Sequence, residues 1–440
     1  MSLQFPYIGN SEIEQKAMLD YLGIKSSDEL FVDIPQKYRD GNLPNIPTSL
    51  SEMELVNHLD SLSEKNIVTT PSNSFIGAGA YHHYIPSTVF SLAQRGEFLT
   101  SYTPYQAEVS QGTLQVAYEL QSLISELYSM DVANAGMYEG GSSLAEAALM
   151  ACRLKSRYMV ACLNSVSPRY KAVLESYLAP QSIQIEFIDI DNVNIPQNEY
   201  ACLIVQYPNF YGSIEDMQRL SDITHNANSL FVVSADPLAS VIYRPPGQYG
   251  ADIVVGEGQR LGVPISFGGP YIGFFSCKNE YLRQMPGRIV GKTVDKKGDT
   301  AFVLTLQTRE QHIRRERATS NICTSEALMG LMITIYAATL GKSGLKKVAL
   351  SCFHNAHYAA NLLQNLSGFD LLATQPFFNE FVVSCPVSPT IINTKLAECG
   401  ITGGLDVSDQ FENSMLFCFT ELNNKESIDF LIHKLMQFCI

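Results

Sequence analysis

The sequence predicts an α/β fold with a mostly parallel sheet in a large domain, a smaller C-terminal α+β domain, and an N-terminal helical arm. Three observations predict it. Short apolar runs alternate with helix-like segments between residues 131 and 285, several of those runs are apolar throughout, and strands and helices return in a shorter stretch after residue 378. Strands that are apolar on both faces must be covered on both faces, which calls for crossover helices and parallel pairing. Composition allows such cores: the 440 residues are 46% hydrophobic and 17% charged, which excludes a disordered chain. At about 150 residues per domain the length suits two to three domains. The expected division is 1–110 for the arm and the loop that ends it, 111–325 for the large domain, and 326–440 for the C-terminal domain.

Residues 1–70 are polar and helical with proline interruptions, and Ser26, Ser49 and Ser51 stand where N-caps are expected, each ahead of acidic residues. Residues 101–110, SYTPYQAEVS, are aromatic, polar and broken by Pro104, the pattern of a loop. From Gly112 to Met130, Leu114, Ala117, Leu120, Ile124 and Leu127 recur at helical spacing. Strands are expected at 159–164, 183–190, 201–208, 230–236, 252–258 and 271–277, with helices at about 142–155, 170–179 and 214–228. Residues 286–325 read as a Gly-, Arg- and Lys-rich connection. Two long helical patterns follow at about 324–341 and 344–366, and the C-terminal domain is expected to hold strands at FVVSC and MLFCFT with helices at 391–399 and 425–438.

Several function classes are excluded early. Thirty Lys and Arg against 44 Asp and Glu leave a formal charge of −14, which argues against a nucleic-acid partner. The ten cysteines never form a CxxC pair and lie mostly inside apolar runs, which argues against zinc and disulfide frameworks and for a reduced, cytoplasmic protein. The N-terminus has no basic segment followed by an apolar core, and no stretch reaches the roughly 18 apolar residues of a membrane span, so no leader and no membrane partner are expected.

Two features of the large domain carry chemistry. Glu139-Gly140-Gly141-Ser142-Ser143 precedes a helical run, and glycines at such a turn let backbone N–H groups approach an anion. Gly140, Gly141 and Ser142 therefore read either as a phosphate cradle or as an ordinary N-capped helix after a tight turn. Asp236 ends the strand LFVVSAD, and an acid at the carboxyl end of a parallel strand faces the ligand crevice. In enzymes that use pyridoxal phosphate such an Asp pairs with the pyridine nitrogen, and a lysine then holds the aldehyde. One strand later, 259 − 236 = 23 residues on, the chain places Gln259 where that lysine is expected, and an amide cannot form an imine. Lys278 and Lys292 are the rival amines, but Lys278 lies 278 − 236 = 42 residues beyond the Asp, a strand too late.

Four long strings carry a resemblance: YIGNSEIEQKAMLDYLGIKSSDELFVDIP near the start, GAGAYHHYIP at 77–86, SYTPYQAEVSQGTLQ at 101–115, and PGRIVGKTVDKKGDTAFVLTLQTREQHIRRERATSNICT at 286–324. Over essentially its whole length the chain resembles subunit 1 of the two-subunit glycine dehydrogenase (decarboxylating), the P-protein family of the glycine cleavage system. The resemblance implies an aspartate aminotransferase-like, pyridoxal-phosphate fold type I. It also implies a lysine-bearing partner, P-protein subunit 2, in an α2β2 heterotetramer. The cofactor, pyridoxal phosphate, is then expected on that partner, with glycine as substrate and the lipoylated H-protein as acceptor of the aminomethyl group. Gly140, Gly141, Ser142 and Asp236 become a relic pocket with no catalytic residue of its own.

In that superfamily the region of Tyr102, Thr103, Pro104, Tyr105 and Gln106 reaches across a dimer interface, so the resemblance implies that these residues border the partner's site. The alternative is a loop whose tyrosines simply pack. His82 and His83 point to opposite faces of an extended chain, so they do not form a metal site by themselves. His82 and His83 are expected among the interface contributions to the partner's site, where acid–base or carboxylate-binding service and a hydrogen-bonded place inside an aromatic loop both stay open for them. Arg309, His312, Arg314, Arg315 and Arg317 form a basic cluster against an acidic background, suited to a partner protein or the lipoyl entrance, or else to interdomain salt bridges. Gly287 to Thr293 approaches the phosphate-loop pattern GxxxxGK[ST], but Pro286 stands where its first glycine must be.

Overall fold

The computed structural model describes residues 9–39, 46–66, 68–323, 325–372 and 375–439. Residues 1–8, at the start of the expected N-terminal arm, and Thr324 at the end of the fourth string lie outside the described residues. The chain divides after Asn66 into a small unit and a large one that runs to residue 440.

In the small unit, helix α1 (Glu12–Leu22) starts at Ser11 and helix α2 (Glu52–Ser63) at Ser51. Each serine accepts from the N–H three residues on, while Glu14 or Glu54 reaches back to the serine N–H, so both starts are capping boxes. Ser26 precedes a 3-10 turn without capping it by its side chain, and Ser49 caps nothing because α2 starts later.

The large unit is built on a seven-stranded sheet ordered β1-β7-β6-β5-β4-β2-β3. Its strands are β1 (Val132–Ala133), β2 (Met159–Leu163), β3 (Gln184–Ile188), β4 (Cys202–Tyr207), β5 (Leu230–Ala235), β6 (Ile253–Glu257) and β7 (Gly273–Cys277). Strands β3, β2, β4, β5 and β6 pair in parallel; β7 is antiparallel to β6 and to β1. Every residue of β5 and β7 is buried, as the unbroken apolar text requires, whereas the edge strand β3 alternates between exposed and half-buried positions until its buried last residue. Helices α3 (Gln111–Tyr128), α4 (Gly140–Lys155), α5 (Pro168–Leu178) and α6 (Met217–Asn226) accompany this sheet.

The expected connection at 286–325 contains a hairpin of β8 (Ile289–Val294) and β9 (Thr300–Thr305). Lys292 and Thr293 thus lie in a strand with no helix after it, which removes the phosphate-loop reading. Helix α7 (Ala327–Gln364) is broken at Gly341, whose φ of 60° and ψ of −179° separate the two expected patterns. It is long and apolar enough to cross a membrane by length and composition alone. Part of its apolar surface is spent inside: Ile333 and Tyr336 enter the sheet core, and Ala356 and Leu363 enter the C-terminal core.

That C-terminal core covers an antiparallel sheet ordered β10-β11-β13-β12. The strands are β10 (Asp370–Leu371), β11 (Glu380–Ser384), β12 (Leu405–Asp406) and β13 (Ser414–Cys418), packed with α8 (Pro389–Glu398) and α9 (Lys425–Cys439). Phe75, expected to belong to the arm, is fully buried here among Phe381, Phe417 and Phe419. Its N–H donates to Thr402 and its carbonyl accepts from Cys418, so the segment starting at 74 is stitched to the C-terminal domain.

Candidate functional site

Parallel strands β4, β5 and β6 end at one edge of the sheet, where the segment 78–81, the turns after β4 to β6 and the start of β11 enclose a cavity of about 410 Å³. Asp236 follows the last residue of β5 and lies on the wall of that cavity. One carboxylate oxygen accepts the N–H groups of Leu238 and Ala239, both at 2.8 Å, which fixes the side chain in its turn. The other forms a direct ion pair with Arg260.

Arg260 is 2% exposed. Burial works against its charge, but Asp236 more than compensates, so the guanidinium stays firmly protonated. Its Cζ lies 3.9 Å from the centre of the Tyr81 ring. Nε donates to His83 Nε2 at 3.2 Å, so the His83 proton is assigned to Nδ1, which donates to Glu421 at 2.7 Å. Glu421 also accepts the Tyr84 N–H at 2.7 Å. Burial opposes its ionisation, yet His83 and Tyr84 hold its carboxyl below the usual range. Cys352 completes a group with His83 and Glu421 whose ligand atoms lie within 4.8 Å of one another, but the lone pair of His83 Nε2 is already engaged by Arg260. His82, by contrast, is half-buried, and burial lowers its pKa.

Gln259 has a structural task. Its Oε1 accepts the Tyr81 N–H, and its Nε2 donates to the carbonyls of Tyr81 and Val263, all at 2.9 Å. A lysine can donate but cannot accept, so the amide pins the 77–86 segment in a way an amine would not. Lys278 stands at the opposite edge of the sheet: β7 runs against β6, Cys277 pairs with Ile253, and Lys278 Nζ bonds Asp252 at 2.5 Å. Lys292 is exposed on the β8–β9 hairpin. Neither rival amine can serve Asp236.

The expected phosphate cradle is also spent. Glu139 caps α4, accepting from Gly141 N at 2.5 Å and Ser142 N at 2.7 Å, while Glu257 accepts from Gly140 N at 3.0 Å. The Ser142 and Ser143 hydroxyls both donate to the Glu139 carbonyl. A Cβ at Gly140 would run into the Tyr170 hydroxyl, so close packing requires that glycine here. Burial pushes the Glu257 carboxyl up to about 7. Pyridoxal phosphate therefore does not fit this pocket: carboxylates hold the phosphate donors, Arg260 holds Asp236, and position 259 has no amine.

The sequence matches the family Glycine cleavage system P-protein over residues 6–435. The chain belongs to the P-protein family. Among its relatives, the probable glycine dehydrogenase (decarboxylating) subunit 1 of Chloroherpeton thalassium is 44% identical over 99% of this chain and 100% of its own. The one of Desulforamulus reducens is 46% identical over 98% of this chain and 99% of its own. The crystal structure of glycine decarboxylase (P-protein) of the glycine cleavage system, in inhibitor-bound form, superposes with a TM-score of 0.91 at 40% identity, over 99% of this chain and all of that one. A sphingosine-1-phosphate lyase of Burkholderia pseudomallei, at TM-score 0.64 and 13% identity over 92% of this chain and 94% of its own, shares the fold. The fold is that of pyridoxal-phosphate type I enzymes.

In this P-protein chain the loop Tyr102–Gln106 lies away from Asp236 and lines other cavities. One, of about 1150 Å³, is bordered by Tyr102, Thr103, Tyr105 and Gln106. Tyr102 is 82% exposed and Tyr105 41% exposed. The Tyr105 ring lies 4.9 Å from that of His312, and Arg288 Cζ lies 5.4 Å from its centre.

The basic cluster splits. Arg309 bonds the carbonyls of Met285 and Gly287, and Arg314 bonds that of Thr308, so both hold their own loop. Arg315 and Arg317 are exposed. Arg260, Glu139, Glu257, Glu421 and Arg288 are the residues the sequence reading passed over. Arg260 stood beside the missing lysine and Glu139 beside the glycines, so adjacency was the available signal.

Proposed function

We propose that this chain is the non-cofactor subunit of a two-subunit glycine decarboxylase of the glycine cleavage system. A lysine-bearing subunit 2 completes it as an α2β2 complex in the cytoplasm. The observation that carries this reading is the Arg260–Asp236 pair beside Gln259, in a chain whose full-length relatives are named subunit 1. A pocket whose N–H donors and Asp236 are already engaged by its own side chains leaves the reaction to a neighbour. Pyridoxal phosphate, held by the partner's lysine, supplies the electron sink for loss of CO2 from glycine.

This chain's part is to complete the partner's site. Exposed Tyr102, Tyr105 and Gln106, with half-buried Thr103, supply an amphipathic wall that excludes water and orients polar groups. Arg315 and Arg317 offer an exposed basic surface to the lipoylated H-protein, which receives the aminomethyl group. The ten cysteines without a CxxC pair support a reducing compartment.

Co-expression with the lysine-bearing subunit, borohydride reduction in the presence of pyridoxal phosphate, and peptide mapping test the reading. The label is expected on the partner alone. A labelled Lys278 or Lys292 in this chain would overturn it.

A further inference from the structure

Arg288 immediately precedes β8 and is 8% exposed. Its Nε and Nη2 are buried and have no hydrogen-bond partner among the described residues. The facing carboxylate, Glu310, lies 3.9 Å from Nε, beyond hydrogen-bond reach, and its own Oε1 is also without a hydrogen bond. Burial raises the Glu310 pKa, which weakens it as a counter-charge. A buried guanidinium with unspent donors is costly unless a partner arrives.

Room for one is present. Arg288 lines a cavity of about 300 Å³ with Ser101, Tyr102, Thr103, Ser325 and Glu326. The Tyr105 ring covers the guanidinium, leaving a planar fork shaped for a carboxylate or phosphate. The cavity is lined by the same loop, 101–103, that borders the larger groove described above.

We propose that Arg288 binds the oxyanion of a small reactant, the carboxylate of glycine or the phosphate of the cofactor, where the Tyr102–Tyr105 loop meets the partner's site. This rests on the reading that the loop completes that site. The anion enters beside the loop, takes the free donors of Arg288, and is held at a fixed distance from the partner's reacting atoms.

Arg288→Gln and Arg288→Lys, each assembled with the partner, test it. If the anion is the substrate carboxylate, Arg288→Gln raises the glycine KM tenfold or more, about the loss of one charge-assisted hydrogen bond, with cofactor retention on dialysis unchanged. If it is the cofactor phosphate, retention falls about tenfold instead. Arg288→Lys, which keeps the charge and removes the fork, is expected to lie between wild type and Arg288→Gln. An assembled Arg288→Gln complex with wild-type glycine KM and wild-type retention would overturn the proposal. Thermal melting of this chain alone with inorganic phosphate separates the two layers. Phosphate protection that Arg288→Gln abolishes, beside unaltered complex kinetics, would place an anion site at Arg288 and reject its role at the partner's site.

Discussion

Arg260 donates into the carboxylate of Asp236 while its guanidinium lies over the Tyr81 ring, so a cation of the protein's own engages the acid that was expected to pair with a pyridine nitrogen. The pair makes the pocket self-sufficient. It also creates a dependence, because the pair is mostly desolvated, with Arg260 buried and Asp236 half-buried, and a carboxylate left there without its counter-charge is unfavourable.

Arg260→Met is expected to destabilise the chain by about 3–5 kcal/mol, the usual cost of breaking a buried pair from one side. Adding Asp236→Asn should restore a large part of the loss. Denaturant unfolding of the single and double variants measures both; an additive double variant would show that packing, rather than the pair, dominates.

Glu139→Ala removes the cap of α4 and should cost about 1 kcal/mol. It also frees the N–H groups of Gly141 and Ser142, and a helix N-terminus with free donors attracts anions. Inorganic phosphate is therefore expected to raise the melting temperature of the variant more than that of wild type. Equal phosphate effects would contradict the view that Glu139 occupies an anion site.

Glu146 is 3% exposed on α4, its Oε2 has no hydrogen-bond partner among the described residues, and burial pushes its carboxyl up to about 7. A folded pKa above the unfolded value means that the native state holds the proton longer. Stability from this group is then full below about 4.5 and falls as pH rises toward about 7. Glu146→Gln should flatten that slope and gain about 2 kcal/mol at pH 8. Unfolding free energies across the pH range check it, and an unchanged slope would contradict the assignment.

Much of the large domain was legible because a strand buried on both faces must be written in apolar residues, as β4 to β7 are. The β8–β9 hairpin was not, since its glycines and lysines face solvent and mimic a linker. Phe75 was assigned to the arm because nothing local reveals that its ring packs against strands more than 300 residues away. At the site, Gln259 was readable as an absent amine, a property of one residue. The locked pocket was not, because Arg260 meets His83 and Tyr81 across 177 and 179 residues of chain. Of the two readings of the glycines after Glu139, the structure shows the N-capped helix, with the Glu139 carboxylate on the N–H groups of Gly141 and Ser142.

Release of CO2 from carboxyl-labelled glycine, with pyridoxal phosphate and lipoylated H-protein supplied, tests the central claim most directly. The purified chain is expected to give none, and mixing it with the lysine-bearing subunit is expected to start the release. Label released by this chain unaided would contradict the account.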